Sequence, residues 1–498
     1  MGLAVSYPRA GRTRGLPLVL TVALAGCAVG PRFKSPAPPA AADYGSAAVA
    51  SATAAAAGAG GDAQRFITDL EIPAQWWTLF RSAKLDQLVE QALKGNPTVG
   101  AAQAALRQAR ELYAAQRSTL LPSVEGSLAA NRSRFAVNSL ANPTVSPNPT
   151  YTLYTAQLSL SYALDVFGGN RRAVEAAQAQ AEVSRFQLEA AYLTLSSNVV
   201  VTAIQEAGLR GQLAATERLL DLQHQLTSIV RRQHALGTAS TLTLLAQQSA
   251  EAQTAATLPP LQKQLGQTRD ALTALLGRLP TDEPPETFRL EELSLPQELP
   301  LSLPSKLVEQ RPDVRAAQAN LHAASAAVGV ALANMLPQFA ITADLGSSAL
   351  KFGDLLHTGS GFWDTGASLT QTLFDAGALM HKHRAAEAAL DEAGEQYRAA
   401  VILACQNVAD ALRALRADAD ALQASAEASR TAQATLDVAS RQLQLGTISV
   451  AALTGAEQSY QQAELARIQA QANRYADSAG LLQALGGGWW NRPQGESR

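Results

Sequence analysis

Asn96-Pro97-Thr98-Val99-Gly100-Ala101-Ala102-Gln103-Ala104-Ala105-Leu106 returns 215 residues later as Arg311-Pro312-Asp313-Val314-Arg315-Ala316-Ala317-Gln318-Ala319-Asn320-Leu321. Leu121-Pro122 returns as Leu336-Pro337 at the same offset, and Asp165 as Asp375. Arg232-Gln233 and Leu236-Gly237-Thr238 return as Arg441-Gln442 and Leu445-Gly446-Thr447. An internal repeat decides the fold reading before any single segment does. A unit of about 200 residues is too long for a solenoid and implies a duplicated half-protein.

Composition narrows the class. Only 16% of the 498 residues are charged and 5% aromatic, and the formal net charge is -2. Alanine is the commonest residue and glutamine is frequent, and both cost little in a helix. No basic face is available for nucleic acid, so that partner is excluded. The two cysteines, Cys27 and Cys405, fit no ligand or disulfide spacing.

Arg9, Arg12 and Arg14 precede an apolar run from Leu16 to Ala25 that is too short to span a bilayer. The run ends in Leu24-Ala25-Gly26-Cys27, which resembles the bacterial lipoprotein box. Residues 1–26 therefore read as a signal peptide, and Cys27 as the lipidated first mature residue, palmitate included. Stable anchoring takes more than one acyl chain. Ala28 stands where an aspartate would resemble the inner-membrane retention signal, which favours the outer membrane. Residues 27–66, rich in Ala, Pro and Gly, read as an extended lipid-anchored tether.

Within the first repeat, 67–280, the period changes twice. Ser82–Lys94 and Pro97–Ser118 have helical spacing. From Ser123 the period is 2, with Val124, Gly126, Leu128 and Ala130 on one face. After a loop from Asn138 to Pro149, Tyr154, Ala156, Leu158, Leu160, Tyr162 and Leu164 line one face and Thr155, Gln157, Ser159 and Ser161 the other. This is a hairpin, about 122–167, with strands long enough for a tilted membrane crossing. Long helices follow over about 170–278, with a break or kink expected at Pro259-Pro260. A linker, 281–304, leads to the second repeat, 305–488. That repeat has a hairpin at about 337–374 and long helices over about 376–486. Residues 489–498 read as a disordered tail.

Four strands per chain cannot close a barrel, and open edges do not survive in lipid. The expected fold is therefore mainly α with a transmembrane β part. Three chains would supply a twelve-stranded barrel, continued by a long coiled α-helical barrel. The chain is similar to the TolC-type outer membrane factors, in the lipoprotein branch typified by OprM and NodT-like efflux lipoproteins. The likeness rests on the Leu-Ala-Gly-Cys box, the duplication, Leu164-Asp165-Val166-Phe167-Gly168, Phe374-Asp375-Ala376-Gly377 and the paired Leu-Gly-Thr turns. It implies a homotrimeric channel-tunnel in the cell outer membrane, lipid-anchored and extending into the periplasm. It further implies an exit duct for drugs or other small toxic compounds, partnered by a periplasmic adaptor and an inner-membrane transporter of the resistance-nodulation-division type. Ducts for heavy metals or for type I protein secretion share that fold. A periplasm-spanning coiled-coil lipoprotein is the alternative of another class, but it would need no amphipathic hairpins.

The likeness implies that the adaptor docks at the helical turns, here Arg232, Leu236, Gly237 and Thr238, and Arg441, Leu445, Gly446 and Thr447. In these turns Gly supplies an unusual φ, Thr is expected to cap the returning helix, and Arg to meet the last carbonyls. The sequence departs from the family at Ala452 and Gly455, where acids are expected, and how the aperture is gated is left open. Asp418 and Asp420 read as solvated. No cofactor or metal is expected beyond the lipid. His381-Lys382-His383 lies at a helix start with a spacing that does not bring both rings to one face, and Cys405 reads as a small buried side chain. No nucleophile or acid–base constellation suggests an enzyme.

Overall fold

The computed structural model describes residues 28–40, 43–44, 51–134 and 150–492. The signal peptide, Cys27, the loop 138–149 and residues 493–498 lie outside them. The first half comprises β1 (Arg65–Thr68), α1 (Ala83–Gly95), α2 (Pro97–Ser118), β2 (Ser123–Arg134), β3 (Thr150–Leu164), α3 (Gly169–Ala235) and α4 (Thr241–Leu275). The second comprises β4 (Glu298–Leu301), α5 (Pro304–Gln310), α6 (Pro312–Ala333), β5 (Gln338–Ala349), β6 (Gly361–Thr370), α7 (Ala378–Gln444) and α8 (Val450–Ala484). Corresponding helices match in length: 22 residues in α2 and α6, 67 in α3 and α7, 35 in α4 and α8. At 1.5 Å per residue, α3 and α7 each run for roughly 100 Å. No helix among the described residues is long and apolar enough to cross a membrane.

Two compact units divide the chain. The first holds residues up to 35, 107–182 and 318–395. Its centre is one antiparallel sheet in the order β2-β3-β5-β6. The register places Leu158 opposite Leu345 and Leu345 opposite Trp363, and all three side chains are exposed. One residue along each strand lies a row of Glu125, Ser159, Asp344 and Asp364. Period-2 alternation thus gives one apolar and one polar face. Among the described residues β2 and β6 are the two edges, each with an unpaired side.

Asp165 and Asp375 explain why the long helices begin where they do. The Asp165 carboxylate accepts from the N–H groups of Asn170 and Arg171 at 2.9 and 2.8 Å. Asp375 accepts from Gly377 and Leu379 at 2.9 and 2.7 Å. First-turn N–H groups lack intrahelical partners, and a negative charge there also meets the favourable end of the helix dipole.

The second unit holds 36–106, 183–317 and 396–498. Here the repeated sequence block acquires a structural role. Asn96 donates its side-chain amide to the Leu275 carbonyl, the last residue of α4, at 2.9 Å. Arg311 donates to the Ala484 carbonyl, the last residue of α8, at 3.0 Å. The residue before each Pro therefore closes the end of the returning helix, satisfying a carbonyl with no intrahelical donor.

Several expectations are corrected here. Residues 51–66 are not a loose tether. Thr53 and Gln64 are buried, Ala52 bridges Arg65, and β1 pairs in parallel with β4 of the supposed linker. The cause is Arg474 on α8, which is fully buried and donates to Gln64 Oε1, Gly60 O, Thr53 Oγ1, Ala54 O and Asp62 O at 2.7–3.3 Å. A buried guanidinium needs acceptors on all sides, and the loop backbone supplies them. The described part of the tail is ordered as well. Trp489 donates its indole N–H to Gln310 O at 2.7 Å and packs edge-on against Phe186, and Arg492 pairs with Glu189. Aromatic area of that size outweighs the ordering of a few residues. Finally, α4 is one continuous helix through Pro259 and Pro260, so of the expected break or kink the break is ruled out. Both prolines are exposed, so the carbonyls they leave without donors can turn to water.

Candidate functional site

The two interhelical turns are built alike. In the first, Leu236 N–H donates to Arg232 O at 3.1 Å and Thr238 N–H to Gln233 O at 2.9 Å. In the second, Leu445 N–H donates to Arg441 O at 3.1 Å and Thr447 N–H to Gln442 O at 2.9 Å. Gly237 and Gly446 have φ of 75° and 72°. Both stand in the left-handed conformation that ends a helix and reverses the chain.

The hydroxyls do not act as expected. Thr238 and Thr447 donate back to Gln233 O and Gln442 O, each at 3.0 Å, and so close the departing helix. The caps of α4 and α8 are Ser240 and Ser449, whose hydroxyls accept from Thr243 and Ala452 N–H. Serine lies at the position whose extended backbone aims its oxygen into the first turn. Arg232 Nε reaches Ser228 O, one turn inside the helix rather than at its end. All eight expected turn residues are exposed, with Leu236 and Leu445 80% and 77% open to solvent. Exposed apolar side chains at the end of a helix hairpin suit a partner.

The turns differ just beyond the caps. Leu242 and Leu245 on the first turn of α4 are exposed, whereas Ala451 and Thr454 occupy the matching places on α8. Sequence reading missed this apolar extension, although the Leu-Thr-Leu-Leu run at 242–245 carried the signal. Ala452 and Gly455 are also exposed, and a Cβ at Gly455 would meet nothing within 4 Å. The acid-free start of α8 therefore owes nothing to crowding.

Behind the turns, Leu226, Val230, Leu436, Ala439, Leu453 and Ala456 form a buried apolar cluster that ties α3, α7 and α8 together. Further along α7, Asp418 is not simply solvated. It lies against Asp477 of α8, and burial with the neighbouring carboxyl pushes it up to about 7. A raised acid is protonated more readily in the folded chain, so its destabilising effect grows as pH rises from about 4 to 7. Asp418→Asn should therefore match wild type in thermal stability near pH 4 and exceed it increasingly up to pH 8. Solvent screening of this half-exposed pair limits the gain to about 1–2 kcal/mol.

The fold and the paired turns define a class. The model of the outer membrane efflux protein family matches residues 88–278 and again 303–487, and the chain belongs to that family of TolC-type outer membrane channels. It is an outer membrane protein. It is 31% identical over 419 residues to the pyoverdine export outer membrane protein OpmQ of Pseudomonas putida, covering 83% of this chain and 88% of that one. Outer membrane protein OprJ of Pseudomonas aeruginosa is 28% identical over 479 residues, 95% of each chain. The solved structure of the outer-membrane channel OprN has a TM-score of 0.82 at 27% identity, covering 93% of this chain and 100% of that one.

Proposed function

We propose that the chain is the exit duct of a tripartite efflux pump, a homotrimer that passively exports drugs or other small toxic compounds. The observation that carries this is the four-stranded sheet with an exposed apolar face and two unpaired edges. Pairing β6 of one copy with β2 of the next closes a barrel and removes every edge. The polar face then lines the lumen. No step of catalysis is needed, because a duct passes what its pump delivers. The names of the relatives favour small organic cargo: pyoverdine for OpmQ, toluene for TtgF and antibiotics for ArpC. These support export of small molecules over metal ions or protein.

The turns at Arg232–Thr238 and Arg441–Thr447 would dock a periplasmic adaptor, which connects the duct to an inner-membrane transporter of the resistance-nodulation-division type. Cys27 would carry the lipid. The chain just after it is held firmly: Arg172 donates to Val29 O at 3.1 Å, and Phe33 stacks on His322 at 4.4 Å. Such a grip suits an anchor that must leave the protein at a set place. Purified protein should sediment as a trimer and conduct ions across a planar bilayer. A monomer without conductance, together with unchanged drug susceptibility on gene deletion, would reject the duct.

A further inference from the structure

The apolar cluster behind the turns has a polar neighbour on α3, α4 and α8. Gln223 and Thr227 of α3, Gln247 of α4 and Glu457 of α8 are 0%, 2%, 1% and 4% exposed. The Thr227 hydroxyl, the Gln247 amide nitrogen and one oxygen each of Glu251 and Glu457 are buried without a hydrogen-bond partner, and Gln223, which meets Glu457, is oriented too poorly to satisfy either end of its amide. The Gln247 amide oxygen accepts from Thr454 of α8 at 2.9 Å. Unpartnered polar groups are uncommon in protein interiors, and a cluster of them calls for an explanation. A seam built only to stay shut would be filled with Leu, as the adjacent cluster is. A polar seam opens to water more easily.

Glu457 is the one ionisable member of this set that lies wholly inside. No ion pair reaches it among the described residues, and Gln248 takes its place in the first repeat. Burial drives its carboxyl up to about 7, and Gln223 opposes this only in part. The titratable groups at neighbouring positions of these helices are paired with one another or exposed. His224 of α3 pairs with Glu251 of α4 at 2.8 Å. On α8, Tyr460 is one turn away, and Glu464 is held by Arg467 and by Ser429 of α7. Asp437 and Arg441 of α7 point to solvent.

We propose that Glu457 is a proton-operated latch between the α3–α4 hairpin and α8. Protonated, it lets α8 pack on its neighbours; deprotonated, it draws water into the seam and releases α8. The latch rests on reading the helical turns as the mouth of a duct. Its sign follows from linkage. The packed state binds the proton more tightly than a state with Glu457 in water, so raising the pH favours release. A carboxyl that returns to its ordinary range on release makes the released state about tenfold more populated, per protomer, at pH 8 than at pH 6.

The test follows planar-bilayer conductance and hydrogen exchange over 450–460 from pH 6 to pH 8. Wild type is compared with Glu457→Gln and with His224→Gln and Asp418→Asn as controls. Wild type and both controls should conduct about tenfold more at pH 8 and lose protection there, after correction for intrinsic exchange. Glu457→Gln should stay closed and protected throughout. A Glu457→Gln protein that keeps the wild-type pH response overturns the latch. Absence of conductance in every variant would refute the duct, and exchange still decides the latch. In that case, protection that falls with pH only when Glu457 is present supports it, and protection independent of pH overturns it.

Discussion

Replacing Leu236 and Leu445 together by Asp should abolish efflux while leaving the channel folded, trimeric and inserted. Both side chains are exposed and take no part in the hydrogen bonds that shape the turns, which are made by backbone groups, by the Thr and Ser hydroxyls and, in the first turn, by His234 Nδ1 with Ala239 O. The fold has little to lose. A docked partner loses the burial of two leucines, about 1.5–3 kcal/mol each, and must desolvate two carboxylates as well. Adaptor affinity should fall by about three orders of magnitude or more. Site-specific cross-linking to the adaptor and drug susceptibility in a strain lacking the native duct would measure this. Full resistance with undiminished cross-linking would remove the turns from the docking surface. Gly446→Trp is a weaker probe, since its φ of 72° strains any side chain and mixes a folding defect with a docking defect.

Arg474→Leu should be the most destabilising single substitution in the second unit. The guanidinium is fully buried and donates to five acceptors spread over Thr53 to Gln64. Leu fills part of the space but withdraws the guanidinium from all five oxygens, of which Thr53 Oγ1 keeps a donor in the Gln64 N–H. The expected cost is about 3–5 kcal/mol. Lys should not rescue it, because one ammonium cannot reach acceptors arranged around a planar fork. Residues 53–62 should become sensitive to protease before the helices melt. A melting temperature within a degree or two of wild type, with the loop still protected, would show that the loop is held by other means.

Much of this protein was legible from spacing alone. Two periods alternate along the chain, and they place the strands and long helices within a few residues of where they stand. Gly237 and Gly446 mark the reversals, and Asp165 and Asp375 mark the helix starts, because these jobs are local: a left-handed φ and a first-turn acceptor are needed at one position. The misplaced roles were also local in kind. Thr238 and Thr447 looked like caps, but Ser240 and Ser449, two residues on, have the extended backbone that capping requires.

The sequence by itself determined the repeated blocks, the amphipathic hairpins, the turn positions and the family, since each is written in short-range periodicity or in identities between segments. Only the tertiary structure decided what holds the ends of the chain. Gln64 donates to Ser478 across 414 residues, and Arg474 reaches back to Thr53 across 421. It also showed that Asn96 and Arg311 close the returning helices, and that Glu457 is enclosed where its own helix reads as polar. The physical reason is the same in each case. A local pattern reports which face of an element avoids water, whereas the energy of a buried polar group depends on which distant atoms complete its hydrogen bonds.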